Sequence, residues 1–448
     1  DCRADEGEGS SCVFPEKNSR MIKALQGVAR ASCPCFMGFA KTTSQGRYDM
    51  QLISSAIQNQ MAGSSWIRRM FEKGIELKKQ FGAENVFDFS LGNPDIPPPS
   101  CAAEALHGLA DRVARPFGMG YCPNAGLPEF REALAAYLSV QQQVAVQAAQ
   151  VVVTCGAAGA LTSFFRAVLE PGDEVLCPAP YFVEYGSYCG HFGGVLKAIP
   201  SLPPDFQPNI AAIEAVVTER TRVLLINSPN NPTGCVYSQQ TLTALAELVN
   251  RVNATRKRPL YLLSDEPYRF LAYDGAVVPP ILPLSPFALV LGSFSKNLSM
   301  AGERVGYLVA SSAMPDVATL INAVTLTNRT LGFVNAPVLG QRLAMALLNE
   351  SVDISVYARR REAMAQVLRA AGIRFTLPQG AFYFFPEAPG GDDQAFIQAL
   401  LAQNVLAVPG SGFGLGGYFR LSFSVEDAVI ERSAAGFKAA VAAVSGGH

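Results

Sequence analysis

Short apolar runs alternate with longer amphipathic segments through the middle of the chain. The runs typical of buried strands are Val151–Thr154, Glu174–Cys177, Val223–Asn227, Tyr261–Ser264, Leu289–Gly292 and Gly306–Val309. Helical periodicity lies between some of these runs, at about residues 158–169, 238–252 and 312–326. Strands that alternate with helices predict an α/β layer with a mostly parallel sheet.

Different patterns flank this region on both sides. Before it, the spacing of apolar residues predicts an amphipathic helix over Ser64–Phe81 and a strand over Asn85–Leu91. Beyond about residue 345, a basic helix near Val356–Ala371 leads into strands at Gly380–Phe385 and Phe419–Phe423, and then into a final helix. Such a mixture is typical of a smaller α+β domain.

The chain is long enough for more than one domain, with 448 residues of which 49% are hydrophobic. We expect a large domain over residues 103–345 and a small domain over 346–448, to which an N-terminal arm at 50–102 contributes a part. A net charge of −1 favours a small molecule or a protein as partner, rather than nucleic acid or a membrane. No apolar run approaches the roughly 20 residues that cross a bilayer.

The first 49 residues and the cysteines bear on localisation. An acidic opening and the lack of a clean apolar core argue against a signal peptide. The segment Arg20–Arg47 is basic and free of acidic residues, as in a transit peptide, but the acidic opening before it argues against one. We expect Met50 to begin the folded protein, with residues 1–49 as a leader, a disordered extension or upstream translation. The ten cysteines form no C-x-x-C pair, and with three histidines they predict no metal site. We expect reduced, mostly buried thiols in a cytoplasmic protein.

The most informative segment is Ser293–Lys296, followed by Arg304 between two nearby glycines. A lysine directly after an apolar strand lies at the carboxyl edge of the sheet, where open α/β sheets bind ligands. Its amine could form a Schiff base with an aldehyde cofactor, and the hydroxyls of Ser293 and Ser295 and the Arg304 guanidinium suit a phosphate. An isolated S-x-S-K would favour a surface lysine in a serine-rich loop, and the two glycines near Arg304 weaken that alternative.

An acidic residue, Asp265, follows the strand Tyr261–Ser264. A carboxylate at a buried strand end needs a partner, and a protonated pyridine nitrogen would make a cofactor ring an electron sink. Tyr268, three residues further on, could donate to the phenolate oxygen of such a ring. The alternative is a structural ion pair of Asp265 with a nearby arginine such as Arg269.

Two turns follow other predicted strands. Pro and Gly make the turn Ile226–Gly234 rigid, so that it could aim the amide of Asn231 into a cleft, although the motif alone indicates only a turn. Thr154–Leu161 is a strand end, a turn of small residues and a helix start, whose N–H groups could bind an anion. The spacing is not G-x-G-x-x-G, so a dinucleotide is not expected.

These four motifs, in this order, resemble the class I/II aminotransferases of fold type I, which depend on pyridoxal 5'-phosphate. The resemblance covers roughly residues 50–440, and the S-x-S-K motif followed by G-x-R-x-G is highly specific. Three other stretches resemble the bacterial aspartate aminotransferase-like branch: Ser65–Arg68, Phe89–Pro94 and Gly332–Pro337. The resemblance implies a large domain with helices on both sides of a mostly parallel sheet, and a smaller α+β domain.

The resemblance also implies roles for single residues. The cofactor would be held by a Schiff base to Lys296, by Asp265 at the pyridine nitrogen, by Tyr268 and Asn231 at the ring oxygen, by Phe182 stacked on the ring, and at the phosphate by Ser293, Arg304 and the backbone of Ala157 and Ala158. Tyr121 would reach the phosphate of a neighbouring subunit, which implies a homodimer with shared active sites. Arg420 would bind the substrate α-carboxylate, with help from Gly92 and Asn231.

Some positions depart from the family. The aspartate enzymes often have Trp where Phe182 stands, and hydroxyl residues where Gly156 and Ala158 stand.

Aspartate with 2-oxoglutarate is the substrate pair expected first, with alanine or an aromatic amino acid as the alternative. A dicarboxylate needs a second cation, for which Arg329 is a candidate unless it is an ordinary surface arginine. A fold type I lyase or synthase and a non-catalytic regulator are the other possible functions.

Overall fold

Helices and strands alternate along most of the chain in a computed structural model, which describes residues 51–62 and 66–445. The strands are β1 (Phe87–Asp88), β2 (Val151–Cys155), β3 (Glu174–Ala179), β4 (Val195–Pro200), β5 (Thr221–Asn227), β6 (Tyr261–Asp265), β7 (Ala288–Ser293), β8 (Val305–Ala310), β9 (Tyr383–Phe384), β10 (Val405–Leu406), β11 (Val408–Pro409) and β12 (Phe419–Ser422). The helices are α1 (Ser55–Ala62), α2 (Trp66–Phe81), α3 (Ala102–Val113), α4 (Pro128–Gln141), α5 (Gly156–Val168), α6 (Glu184–Gly190), α7 (Ile210–Ala215), α8 (Gln239–Asn253), α9 (Val317–Thr330), α10 (Val338–Ala346), α11 (Ile354–Ala370), α12 (Asp393–Leu401), α13 (Asp427–Arg432) and α14 (Ala434–Ser445). The expected leader, residues 1–49, lies outside the described residues.

Seven strands form the central sheet, in the order β2-β8-β7-β6-β5-β3-β4. The five strands from β7 to β4 run parallel, whereas β8 is antiparallel to both of its neighbours. The inner strands β5 and β6 are buried at every position. A strand that meets no water on either face is apolar throughout, which is why these segments read as continuous apolar runs. The predicted α/β fold with a mostly parallel sheet is confirmed.

Helices cover both faces of this sheet. Successive side chains of a strand point to opposite faces, so in β6 Leu262 and Leu263 join different hydrophobic clusters. On one face the core includes Leu134 of α4 and Leu245 of α8. On the other face it includes Phe164 of α5. This burial on two sides holds the strand ends, and the residues that follow them, in fixed positions.

The remaining strands form two smaller sheets. β1 pairs parallel with β10, and β12 lies antiparallel between β11 and β9. The strand expected over Asn85–Leu91 is only two residues long, although backbone hydrogen bonds to the C-terminal strands continue beyond it. The Phe89 N–H donates to the Leu406 carbonyl, and the Phe89 carbonyl accepts from the Ser422 N–H. These bonds place the residues before Gly92 beside the C-terminal part of the chain.

Several element boundaries differ from expectation for local reasons. β4 was not predicted, because it is an edge strand with three exposed positions and lacks a continuous apolar run. α9 begins at Val317 rather than near residue 312, since Asp316 before it has a left-handed φ of 51°. The six described cysteines are free thiols, three of them buried. Within the part of the chain described, no helix is long and apolar enough to cross a membrane.

Candidate active site

Five strands of the central sheet bring polar residues to one edge. β5 ends at Asn227, β6 at Asp265 and β7 at Ser293, which are the carboxyl ends of parallel strands. Antiparallel β8 contributes its amino end, directly after Arg304, and β2 ends at Cys155 before α5. A cavity of about 300 Å³ lies at this edge. Its position is the one at which open α/β sheets bind ligands.

All but one of the residues predicted to bind the cofactor or the substrate α-carboxylate line this cavity: Gly92, Ala157, Ala158, Phe182, Asn231, Asp265, Tyr268, Ser293, Lys296, Arg304 and Arg420. The exception is Tyr121, which is 90% exposed and borders a separate surface hollow with Pro337 and Leu339. Tyr121 was expected to contact a neighbouring subunit, and its exposed phenol is accessible to one.

The Lys296 side chain enters the cavity, so its interpretation as a surface lysine is wrong. Its Nζ donates a hydrogen bond of 2.5 Å to the Gly92 carbonyl. Burial, followed by the positive charges of Arg420 and Arg304, lowers the pKa of Lys296 from 10.5 to about 8. An appreciable fraction of the amine is therefore neutral near pH 7.5, as a nucleophile or a general base requires.

Asp265 has one carboxylate oxygen without a partner. Oδ2 accepts a hydrogen bond of 2.6 Å from the Tyr185 hydroxyl, whereas Oδ1 is buried and bonded to no described residue. Burial raises the pKa of Asp265 to about 6, partly offset by the Tyr185 hydrogen bond. The alternative ion pair with Arg269 is wrong, because Arg269 pairs with Glu266 at 3.2 Å. A buried, unpartnered oxygen of this kind fits a ligand that carries an N–H group.

Arg420 is a buried cation without a counter-ion among the described residues. Only 1% of Arg420 is exposed, and its guanidinium lies 4.8 Å from the ring centres of both Tyr383 and Phe413. It donates to Asn231 Oδ1 at 3.1 Å and to the Ser90 carbonyl, and its Nε has no partner. Burial lowers the pKa of Arg420. Because a buried lone charge is costly, this site fits an anionic ligand group.

The other two motif residues are held by their neighbours. The Asn231 N–H donates to Asn227 Oδ1 at 2.7 Å, which fixes the turn against β5. The Tyr268 hydroxyl lies 2.7 Å from the Tyr383 hydroxyl. Both side chains line the cavity and could donate toward a ligand there.

The start of α5 and Arg304 together form an anion-binding corner. α5 has no side-chain cap, so its first N–H groups remain available. Gly156 has a φ of 69°, and a Cβ there would lie 2.8 Å from the Arg304 guanidinium. A glycine is thus needed for Arg304 to approach the helix start. The corner fits a phosphate, as does the Ser293 hydroxyl beside it.

Four further polar residues line the cavity without having been predicted for the site: Tyr185, Tyr188, Asn227 and Tyr383. Ser295, whose hydroxyl was predicted together with that of Ser293 to suit a phosphate, also lines the cavity. Tyr383 carries a hydroxyl within the aromatic run Phe382–Phe385. A buried hydroxyl needs a hydrogen-bond partner, so this feature of the sequence could have identified Tyr383 as a candidate site residue. Tyr185 and Tyr188 lie on α6, and nothing local in the sequence connects them to β6.

Cofactor-free protein should lose stability as pH rises from about 4 to about 6, because of Asp265. The folded pKa of about 6 exceeds the ordinary value of 3.8, so the folded state binds this proton more tightly and loses that advantage as pH rises. A shift of about two pKa units corresponds to roughly 3 kcal/mol. Thermal unfolding of cofactor-free Asp265→Asn and of the cofactor-free wild type, from pH 4 to 7.5, measures this change in stability.

The variant should be the more stable protein at pH 7.5, and the difference should shrink toward pH 4. Lys296 does not obscure this window. Its lowered pKa of about 8 makes stability rise only between about pH 8 and its ordinary value of 10.5. A stability difference independent of pH would contradict the assignment of an unpartnered, buried carboxylate.

Comparison with known proteins places this site in a family. Residues 84–437 match the family described as aminotransferase class I and II. The chain is 34% identical over 359 residues to a probable aspartate/prephenate aminotransferase of Aquifex aeolicus, covering 77% of this chain and 88% of that protein. It is also 34% identical to an aspartate aminotransferase of Thermotoga maritima, covering 76% and 87% of the two chains.

Solved structures of aminotransferases also resemble this chain. An aminotransferase from Eubacterium rectale superposes with a TM-score of 0.82 at 35% identity, covering 87% of this chain and 98% of that one. The aspartate aminotransferase of Thermus thermophilus with maleate gives a TM-score of 0.78 at 29% identity, covering 87% and 100%. The chain therefore belongs to the class I and II aminotransferases.

Proposed function

We propose that this aminotransferase binds pyridoxal phosphate in the cavity at the sheet edge and moves an amino group from L-aspartate to 2-oxoglutarate. Class I and II aminotransferases in general depend on that cofactor. The observation that carries the proposal is the constellation around Lys296. A lysine of lowered pKa faces the same cavity as the unpartnered Asp265 Oδ1 and the unpaired cation Arg420.

Each polar feature of the cavity corresponds to one part of the cofactor. We assign Lys296 to the aldehyde carbon, Asp265 to the pyridine nitrogen, Tyr268 and Asn231 to the ring oxygen, Phe182 to the ring face, and Ser293, Arg304 and the backbone of Ala157 and Ala158 to the phosphate. When bound, the cofactor supplies an aldehyde that forms a Schiff base with amines and a ring that accepts electrons from the substrate Cα.

The residues of the chain supply binding and proton transfer. Arg420 binds the α-carboxylate through its planar pair of N–H donors, and the Gly92 backbone lies beside it. Lys296 would hold the cofactor through its amine, and its Nζ would be the group that takes the proton from the substrate Cα and later returns it. When a carboxylate binds Arg420, one positive charge that lowers the pKa of Lys296 is neutralised, so the base becomes stronger once the substrate is present.

The choice of aspartate rests on the named relatives and needs a second cation. Three cations line the cavity within the described residues, Lys296, Arg304 and Arg420, and each already has a role. A side-chain carboxylate therefore has to be bound by another residue. Arg329, exposed at the end of α9, is the residue that we propose for this role, acting from a neighbouring subunit. The lack of a fourth cation among the described residues that line the cavity also favours the second candidate, a neutral donor such as alanine.

We further propose a homodimer with shared active sites, acting in the cytoplasm. The segment before Tyr121 exposes large apolar side chains, since Phe117 is 90% and Met119 65% exposed. Apolar residues exposed so completely favour burial against another chain. A second copy there would bring the Tyr121 phenol toward the phosphate of its partner. A reducing compartment agrees with the free thiols among the described residues.

Steady-state kinetics of the holoenzyme test the substrate assignment. With 2-oxoglutarate as acceptor, kcat/KM should be higher for aspartate than for alanine or phenylalanine. Arg329→Ala should lower kcat/KM for aspartate by about 10- to 100-fold, because a hydrogen-bonded ion pair to the side chain is lost, and should leave alanine unchanged. Arg166→Ala, at an exposed arginine of α5, is the matched control. A preference for alanine in the wild type would favour the neutral donor instead.

A further inference from the structure

Two buried hydroxyl groups connect the large and small sheets inside the cavity. Tyr268 follows β6 of the central sheet, whereas Tyr383 belongs to β9 of the small sheet. Their oxygens are 2.7 Å apart, and the side chains are 4% and 1% exposed. We propose that Tyr383 is a positioning residue for transamination, whose hydroxyl donates to Tyr268 and whose ring supports Arg420. This inference rests on the proposed function of the same site.

The direction of the hydrogen bond follows from counting protons. Each tyrosine hydroxyl has one proton to donate and can accept from other donors. If Tyr268 donates its proton to the cofactor ring oxygen, Tyr383 has to be the donor between the two phenols. In the part of the chain described, the Tyr383 hydroxyl forms no other hydrogen bond. A donor that also accepts a hydrogen bond is polarised and donates more strongly.

The Tyr383 oxygen also reaches the substrate side of the cavity. A Cβ built on Gly92 would lie 2.0 Å from this oxygen, so the phenol fills the space beside a residue that has no side chain. The carbonyl of Gly92 accepts the hydrogen bond from Lys296 Nζ. One phenol thus contacts Tyr268 and packs against the backbone that holds the lysine.

The ring of Tyr383 has a second function that can be separated from the first. Its centre lies 4.8 Å from the Arg420 guanidinium, a distance at which an aromatic ring attracts a cation. Phenylalanine at position 383 would keep this ring and lose only the hydroxyl. Leucine would lose both. The two variants therefore distinguish support of Tyr268 from support of Arg420.

The test is a pH titration of the visible absorbance of the Schiff base at Lys296 in the holoenzyme. In Tyr383→Phe, Tyr268 is a weaker donor, so negative charge on the cofactor ring oxygen is less stabilised. That charge then attracts the proton on the Lys296 nitrogen more strongly, and the titration midpoint should rise by about 0.5 pH unit. KM for the amino donor should change less than twofold.

Tyr383→Leu should raise the midpoint by a similar amount and should also raise KM about tenfold or more, because Arg420 loses one of its two ring contacts. The matched control is Tyr273→Phe. The Tyr273 hydroxyl donates to the Ala381 carbonyl at 2.7 Å, and its ring faces Arg361 at 4.4 Å, yet it does not line the cavity. That variant loses a comparable buried hydrogen bond and should keep both the wild-type midpoint and KM.

The outcomes separate this proposal from the proposed function. An unchanged midpoint in Tyr383→Phe, in protein that binds the cofactor and unfolds cooperatively, would overturn the role of Tyr383. If Tyr383→Phe does not fold, Tyr383→Leu carries the same midpoint prediction. A second check is the Tyr268→Phe background, where adding Tyr383→Phe should not shift the midpoint further. Wild-type protein that never forms the visible band would overturn the proposed function itself.

Discussion

Lys296→Ala is expected to lower the transamination rate of the holoenzyme by about 10³-fold or more. Both the covalent link to the cofactor and the base that moves the Cα proton would be lost, and positioned acid–base groups alone contribute about 10²- to 10⁴-fold. Burial, followed by the positive charges of Arg420 and Arg304, lowers the pKa of Lys296 to about 8, so that part of the amine is neutral near pH 7.5. Single-turnover kinetics with bound cofactor measure the effect.

The matched control is Lys197→Ala, which removes a surface lysine paired with Glu174 in β3. This variant should keep wild-type turnover. Borohydride reduction gives an independent readout, since it should fix the cofactor to wild type and to Lys197→Ala but not to Lys296→Ala. Turnover near the wild-type rate in Lys296→Ala, or covalent attachment at another lysine, would contradict the assignment.

Arg420→Lys is expected to raise KM for the amino donor about 100-fold, with a smaller change in kcat. The ammonium keeps the positive charge but cannot give two parallel N–H bonds to a carboxylate, and loss of a buried, charged hydrogen bond costs about 2–3 kcal/mol. The hydrogen bonds of Arg420 to Asn231 and to the Ser90 carbonyl hold the guanidinium in the orientation that the variant lacks.

Arg361→Lys is the matched control for Arg420→Lys, because Arg361 is also a buried arginine above a tyrosine ring. Arg361 pairs with Asp274 at 2.6 Å and lies over the Tyr273 ring at 4.4 Å, outside the cavity. Its substitution can lower thermal stability and should leave KM unchanged. Equal KM values in Arg420→Lys and wild type would show that the α-carboxylate binds elsewhere.

The sequence predicted the inner part of the fold well, because the inner strands are buried on both faces. The run Val223–Asn227 becomes most of β5, and Tyr261–Ser264 becomes most of β6. Edge and very short strands were missed or misjudged. β4 is half exposed, and β1 and β10 are two-residue strands whose pairing joins residues about 320 positions apart. No local pattern encodes such long-range pairing.

Site residues could be predicted from the sequence where they belong to a short motif that follows an apolar strand. Lys296 and Asp265 follow apolar strands, so their place at the sheet edge came directly from the pattern. Tyr185 and Tyr383 were missed, since each reaches the cavity from a distant element and is polar only at its tip. The alternative ion pair between Asp265 and Arg269 does not form, because Arg269 pairs with the neighbouring Glu266.

The most direct test of the central claim is the absorbance spectrum of purified protein, to which pyridoxal phosphate and then single amino acids are added. We predict a band near the boundary of the visible and ultraviolet ranges that shifts to shorter wavelength with aspartate and returns with 2-oxoglutarate. A protein that forms no band with the cofactor, or a band that no amino acid shifts, would contradict a Lys296-based transaminase.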